Sequence, residues 1–108
     1  MNKRNFKKDR ILHLTLKKCW YVQILSGEKT VEYRELKPYW TQRLTCPTDT
    51  TGFFTKWGFR EYDYIIFKNG YGKDVPTMKV EWKGCSIVDH EDFGNCYAIE
   101  LGKVEELC

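Results

Sequence analysis

Apolar positions along the chain change period several times, and each change marks an element. Ile11, Leu14 and Leu16 give a first strand over residues 10–16, in which His13 reads as a core or edge residue. Trp20, Tyr21, Ile24 and Leu25 then follow helical spacing, so one face of a helix over residues 18–26 is apolar. Gly27 falls where a helix C-terminus favours positive φ. Alternation with period two resumes over residues 30–35, which puts Val31 and Tyr33 on one strand face and Thr30, Glu32 and Arg34 on the other. Pro38 opens a short helix through Leu44, since proline is tolerated in a first helical turn.

From Thr45 to Gly58 the turn formers carry no apolar period, which predicts a loop. Its second half, Phe53, Phe54, Lys56, Trp57, Phe59 and Arg60, interleaves aromatic and basic residues. That mixture suits base stacking and phosphate contact, and equally suits rings folded back onto the core. The run from Tyr62 to Lys68 reads as a strand buried on both faces, followed by a tight turn at Asn69, Gly70, Tyr71 and Gly72. Tyr71 is then a rim residue or a stacking platform. Met78, Val80 and Trp82 alternate with Lys79, Glu81 and Lys83, and past Gly84 the apolar phase flips to Cys85 and Ile87, the mark of a β-bulge. Residues 89–95 form an acidic turn. Residues 96–101 form a last strand, with Tyr97, Ile99 and Leu101 on one face.

Strands with one or two short helices in 108 residues predict a single α+β, mainly β domain over residues 10–108, a small mixed barrel bent at its bulge. Charge adds an arm. The net charge is +3, yet the first 18 residues hold seven lysines and arginines against one aspartate, so residues 1–9 read as a basic arm. Lys7 and Lys8 on it suit a polyanion or simply keep the chain solvated. No apolar run is long enough to cross a bilayer, and no apolar stretch follows the basic start, which predicts a cytoplasmic protein without a membrane partner. Five cysteines include no C-x-x-C pair, which predicts free thiols, no metal and no cofactor.

The candidate chemistry lies between Gly27 and Arg34. Lys29, Glu32 and Arg34 offer one acceptor-only carboxylate between two donor-only cations, a set that reads a planar polar molecule such as a nucleobase edge. The same residues also suit ion pairing on a solvated strand face. The pattern Gly27-x-Lys29-x-x-Glu32-x-Arg34, after Ile11 to Leu14 and Ile24 to Ser26, resembles the signature G-x-K-x-x-E-x-R of the ASCH (activating signal cointegrator homology) family. Residues 67–71 and 97–102 resemble the family's later strands, so the likeness spans roughly residues 10–106. It implies a PUA-like barrel whose cleft takes RNA or a nucleotide, with Lys29, Glu32 and Arg34 as binding residues; Thr30 on the same strand face, Tyr71 at the turn and Lys7 and Lys8 on the arm join them as candidates from the pattern itself. It also implies an alternative, a small hydrolase acting on N4-acylated cytidine or on RNA, with Lys29 and Glu32 catalytic. The sequence departs from the amidohydrolase branch at Glu32, where that branch carries a threonine. An accessory domain acting through protein contacts of the aromatic loop is a third reading.

Overall fold

The computed structural model describes residues 10–47 and 57–107. Five strands form one mixed sheet: β1 (Ile11–Leu16), β2 (Val31–Glu35), β5 (Tyr64–Asn69), β6 (Thr77–His90) and β7 (Gly94–Glu106), in the order β1-β5-β6-β7-β2. A two-stranded ladder, β3 (Thr45–Pro47) with β4 (Trp57–Phe59), stands beside it. The helices are α1 (Lys18–Leu25), between β1 and β2, and α2 (Pro38–Leu44), after β2. The mainly β expectation with two short helices holds, and among the described residues no helix is long and apolar enough to cross a membrane.

The β6–β7 hairpin is the frame. Its base pairs Met78 with Glu106 and its tip pairs His90 with Gly94, so fourteen residues of one strand face thirteen of the other. The base of β6 also pairs with β5, which in turn carries β1 in parallel, while the tip half of β7 pairs with β2 from Val31↔Glu100 to Glu35↔Cys96. The register shifts on both sides of Trp82, and Gly84 adopts φ +138°, a conformation open essentially to glycine. The bulge therefore sits where the phase of the sequence flips.

One core runs the length of this frame. Ile65, Phe67, Met78, Val80 and Ile99 have no exposed surface, and Tyr21 and Ile24 bring α1 down onto them, with α1 packed on β5 and β7. No side chain caps the N-terminus of α1 and no acid lies in its first turn, so packing of Tyr21 and Ile24 supplies most of what holds it. Its end is set by Gly27 at φ +87°, whose N–H donates to Ile24 O at 3.1 Å while Lys29 N–H donates to Gln23 O at 3.0 Å.

Several expectations change. Trp20 is 45% exposed and does not join the core, because the narrow buried stripe of α1 is used by Tyr21 and Ile24. Residues 45–58 are not wholly loop: Cys46 pairs with Gly58 across the β3–β4 ladder, a contact between distant residues that leaves no local period. Phe53, Phe54 and Lys56 lie outside the described residues, as do Lys7 and Lys8. Phe59 packs against the core, 6.3 Å from the ring of Tyr97. β5 is fully buried on one face only. Ile65 and Phe67 point into the core, while Tyr64 and Ile66 are half-buried on the face where the Lys79 ammonium covers the Tyr64 ring at 4.4 Å. Ile87 stays 53% exposed and only Cys85 of the flipped phase reaches the core. In β7, Cys96 and Ala98 are buried along with Tyr97, Ile99 and Leu101, because the strand lies between β6 and β2. The acidic turn shrinks to residues 91–93, since both strands continue into it.

A Cβ at position 27 meets nothing within 4 Å, so Gly27→Ala carries backbone strain alone. Chemical denaturation should show a loss of about 1–2 kcal/mol, the cost of a left-handed conformation for an L-residue with a Cβ, and Gly27→Asn should lose less.

Candidate functional site

The turn after α1 hands the chain to β2, and the site forms where they meet. On β2, Glu32 and Arg34 are two residues apart and share one face, while Lys29 comes from the turn just before the strand. Glu32 is buried at 5% exposure. Its Oε2 lies 2.9 Å from Arg34 Nη2 and its Oε1 lies 3.5 Å from Lys29 Nζ. The solvated ion-pair reading of the sequence therefore fails for the carboxylate: it is paired, but out of water.

Aromatic rings hold both cations. Lys29 Nζ sits 5.2 Å from the Tyr33 ring centroid and 5.5 Å from that of Trp20, and the Arg34 guanidinium carbon is 4.9 Å from the Trp40 ring of α2. Such contacts add roughly 0.5–2 kcal/mol each, depending on how dry the site is. Arg34 is not fully satisfied among the described residues, because its Nε is buried with no hydrogen-bond acceptor there. An acceptor on a bound molecule that reached this guanidinium would relieve part of that cost.

Burial and charge pull the Glu32 carboxyl in opposite directions. Loss of water raises its pKa from the ordinary 4.5, Arg34 and then Lys29 lower it, and burial is the larger effect, so the net direction is upward. The group thus holds its proton more readily than an ordinary glutamate despite two cationic neighbours. It can present a carboxylate to a donor or, once protonated, an O–H to an acceptor.

Around this triad lies a cleft of about 450 Å³, lined by the end of β1 (Thr15 and Leu16), Lys17, Trp20, Tyr33, Gly70, Tyr71 and Phe93 together with the three charged residues. Its volume falls within the ordinary range for small-molecule sites. The turn that carries Tyr71 is tied down by Gly70, at φ +91°, whose N–H donates to Leu16 O at 2.9 Å. Tyr71 itself is 90% exposed, standing at the mouth of the cleft.

The structure therefore brings together Lys29, Glu32, Arg34 and Tyr71, and leaves Thr30 out. Thr30 is exposed and borders a separate groove with Val31, Lys83 and Ser86, while its carbonyl accepts a hydrogen bond from Leu101 N–H at 3.0 Å. Tyr33 was expected to face away from the charged trio, but its ring borders that groove and the cleft alike. Among the described residues β2 is an end of the sheet order, flanked by β7 alone, so no further strand there confines a large ring to one face.

Trp20, Tyr33 and Phe93 are lining residues that the pattern of the sequence assigned elsewhere or left in a turn. The signal for Trp20 was present, since helical spacing put it beside Tyr21 at the edge of the apolar face. Phe93 had no local signal; its ring stacks on His90 at 4.5 Å, with Nδ1 of that histidine accepting Asp92 N–H at 3.0 Å. Among the described residues no group of three or more potential ligands is placed to hold a metal ion. Burial pushes the Cys85 thiol up to about 12, which removes it as a nucleophile at neutral pH. Comparison with family models, with curated proteins and with solved structures returned no match to this chain.

The raised carboxyl gives a pH signature. A group whose pKa is higher folded than unfolded favours the fold while protonated and loses that contribution as pH rises from 4.5 through the raised value. Unfolding free energies measured across that window should therefore decline with pH more steeply in the wild type than in Glu32→Gln, and parallel curves would contradict the raised value.

Proposed function

We propose that the chain is an ASCH-like domain that binds single-stranded RNA or a nucleotide, with a base seated in the cleft against Lys29, Glu32 and Arg34. The observation that carries this reading is the buried Glu32 carboxylate, held between two cations at the floor of an aromatic-lined cleft. A base offers both donors and acceptors on its edge and a flat face for stacking, which are the complements of this triad and of the rings of Trp20, Tyr33 and Tyr71. The PUA-like barrel belongs to the same proposal. It is supported by the way β1 and β2, the two ends of the sheet order, contribute Leu16 and Glu32 to one cleft, as a strongly curled sheet would. Lys7 and Lys8 would supply further phosphate contacts.

The hydrolase reading draws on one specific feature, the Glu32 carboxyl, shifted upward by burial, beside the Lys29 ammonium. A carboxylic acid so placed can donate a proton to a leaving group, and a backbone amide or Arg34 can stabilise an oxyanion. It takes second place because Lys29 Nζ is engaged by the Glu32 carboxyl and lies against two rings, which leaves it poorly placed to attack a substrate.

Fluorescence anisotropy with a short labelled RNA tests the first reading. Affinity should fall by about 0.7 log units per log unit of salt for each phosphate neutralised, and Arg34→Ala should weaken binding by about tenfold or more, the loss of a charge-assisted hydrogen bond. Salt-insensitive binding that ignores Arg34 would overturn it. Incubation with N4-acetylcytidine tests the second: product formation abolished in Lys29→Ala would establish the hydrolase, and absence of turnover by the wild type would remove it.

A further inference from the structure

A second cavity adjoins the cleft on the far side of Arg34. It measures about 750 Å³ and is lined by Leu36, Lys37, Trp40, Asn95 and Cys96, together with Glu35 and three residues it shares with the cleft: Tyr33, Arg34 and Phe93. The shared residues, a guanidinium and two rings, border both cavities. Lys37 stands on the outer wall, 64% exposed and 3.3 Å from the equally exposed Glu35, an ion pair weak enough to yield to a stronger anion. The Trp40 indole, packed partly against the core and covered on one side by the Arg34 guanidinium, borders this cavity, and the exposed Phe93 borders both.

Resting on the RNA-binding reading, we infer that the ligand is at least two nucleotides long, the second base occupying the cavity beside Trp40 while the linking phosphodiester crosses at Arg34 and Lys37. Each cavity falls within the ordinary volume range for a small-ligand site. Their chemistry repeats: a flat aromatic surface for a base and a cation beside it for a phosphate. A lone nucleoside fills only the Glu32 cavity and leaves the second open. A chain of two satisfies both cavities, with its negative charge next to Arg34 and Lys37.

Calorimetric titration of the full chain with the four ribonucleoside monophosphates and with a set of ribodinucleotides separates the possibilities. The inference expects the best dinucleotide to bind about tenfold or more tightly than the corresponding mononucleotide, the gain from stacking one further base. Lys37→Glu should remove most of that gain. Amide resonances of Trp40, Asn95 and Cys96 should shift more with dinucleotide than with mononucleotide. Equal affinities for the two ligands, or a Lys37→Glu change that leaves the dinucleotide gain intact, overturns the second subsite while the Glu32 site stands. Failure of every mononucleotide and dinucleotide to bind overturns both.

Discussion

Everything around the candidate site depends on keeping one carboxylate out of water. Glu32 sits at 5% exposure on a strand at the end of the sheet order, and an unpaired carboxylate there would cost several kcal/mol. Its two partners come from different places: Lys29 from the turn that Gly27 sets, Arg34 from the same strand face, steadied by Trp40 of α2. The triad therefore ties α1, β2 and α2 to one point. Such a polar cluster contributes little net stability compared with an apolar core of the same volume.

The frame explains why a cleft exists at that point. β6 and β7 are much longer than their neighbours, and the bulge near Gly84 divides them into a base that supports β5 and β1 and a tip that supports β2. The cleft draws on both halves, with Leu16 and Tyr71 from the β1–β5 side and Glu32 and Arg34 from the β2 side. A single glycine with φ +138° thus lies behind the meeting of residues far apart in the chain.

Much of this was legible from local pattern. The core positions of β6 alternate cleanly in the sequence, Pro38 marked the start of α2, and the Gly27 to Arg34 junction identified its three charged residues and their shared face. What stayed hidden was set by distance or by edges. The β3–β4 ladder pairs residues ten to fourteen apart across a segment without alternation, and Phe93 enters the cleft from a turn whose residues carry no period. Period-two reasoning placed Thr30 with Glu32, yet the strand begins only at Val31 and Thr30 stays with the opposite groove. It placed Tyr33 away from the charges because it assumes a ring confined by neighbours on both sides, which a strand at the end of a sheet does not have.

The most direct measurement is a backbone-amide titration of the isotopically labelled chain with a short single-stranded RNA at low salt. If Glu32 is the floor of a base-binding cleft, the largest shifts will fall on residues 29–34 and on Gly70 and Tyr71, and Glu32→Gln will shrink them while the fold persists. Shifts spread evenly over the basic surface, unchanged by Glu32→Gln, would mean that the buried triad only braces the junction and that RNA, if bound at all, is held elsewhere.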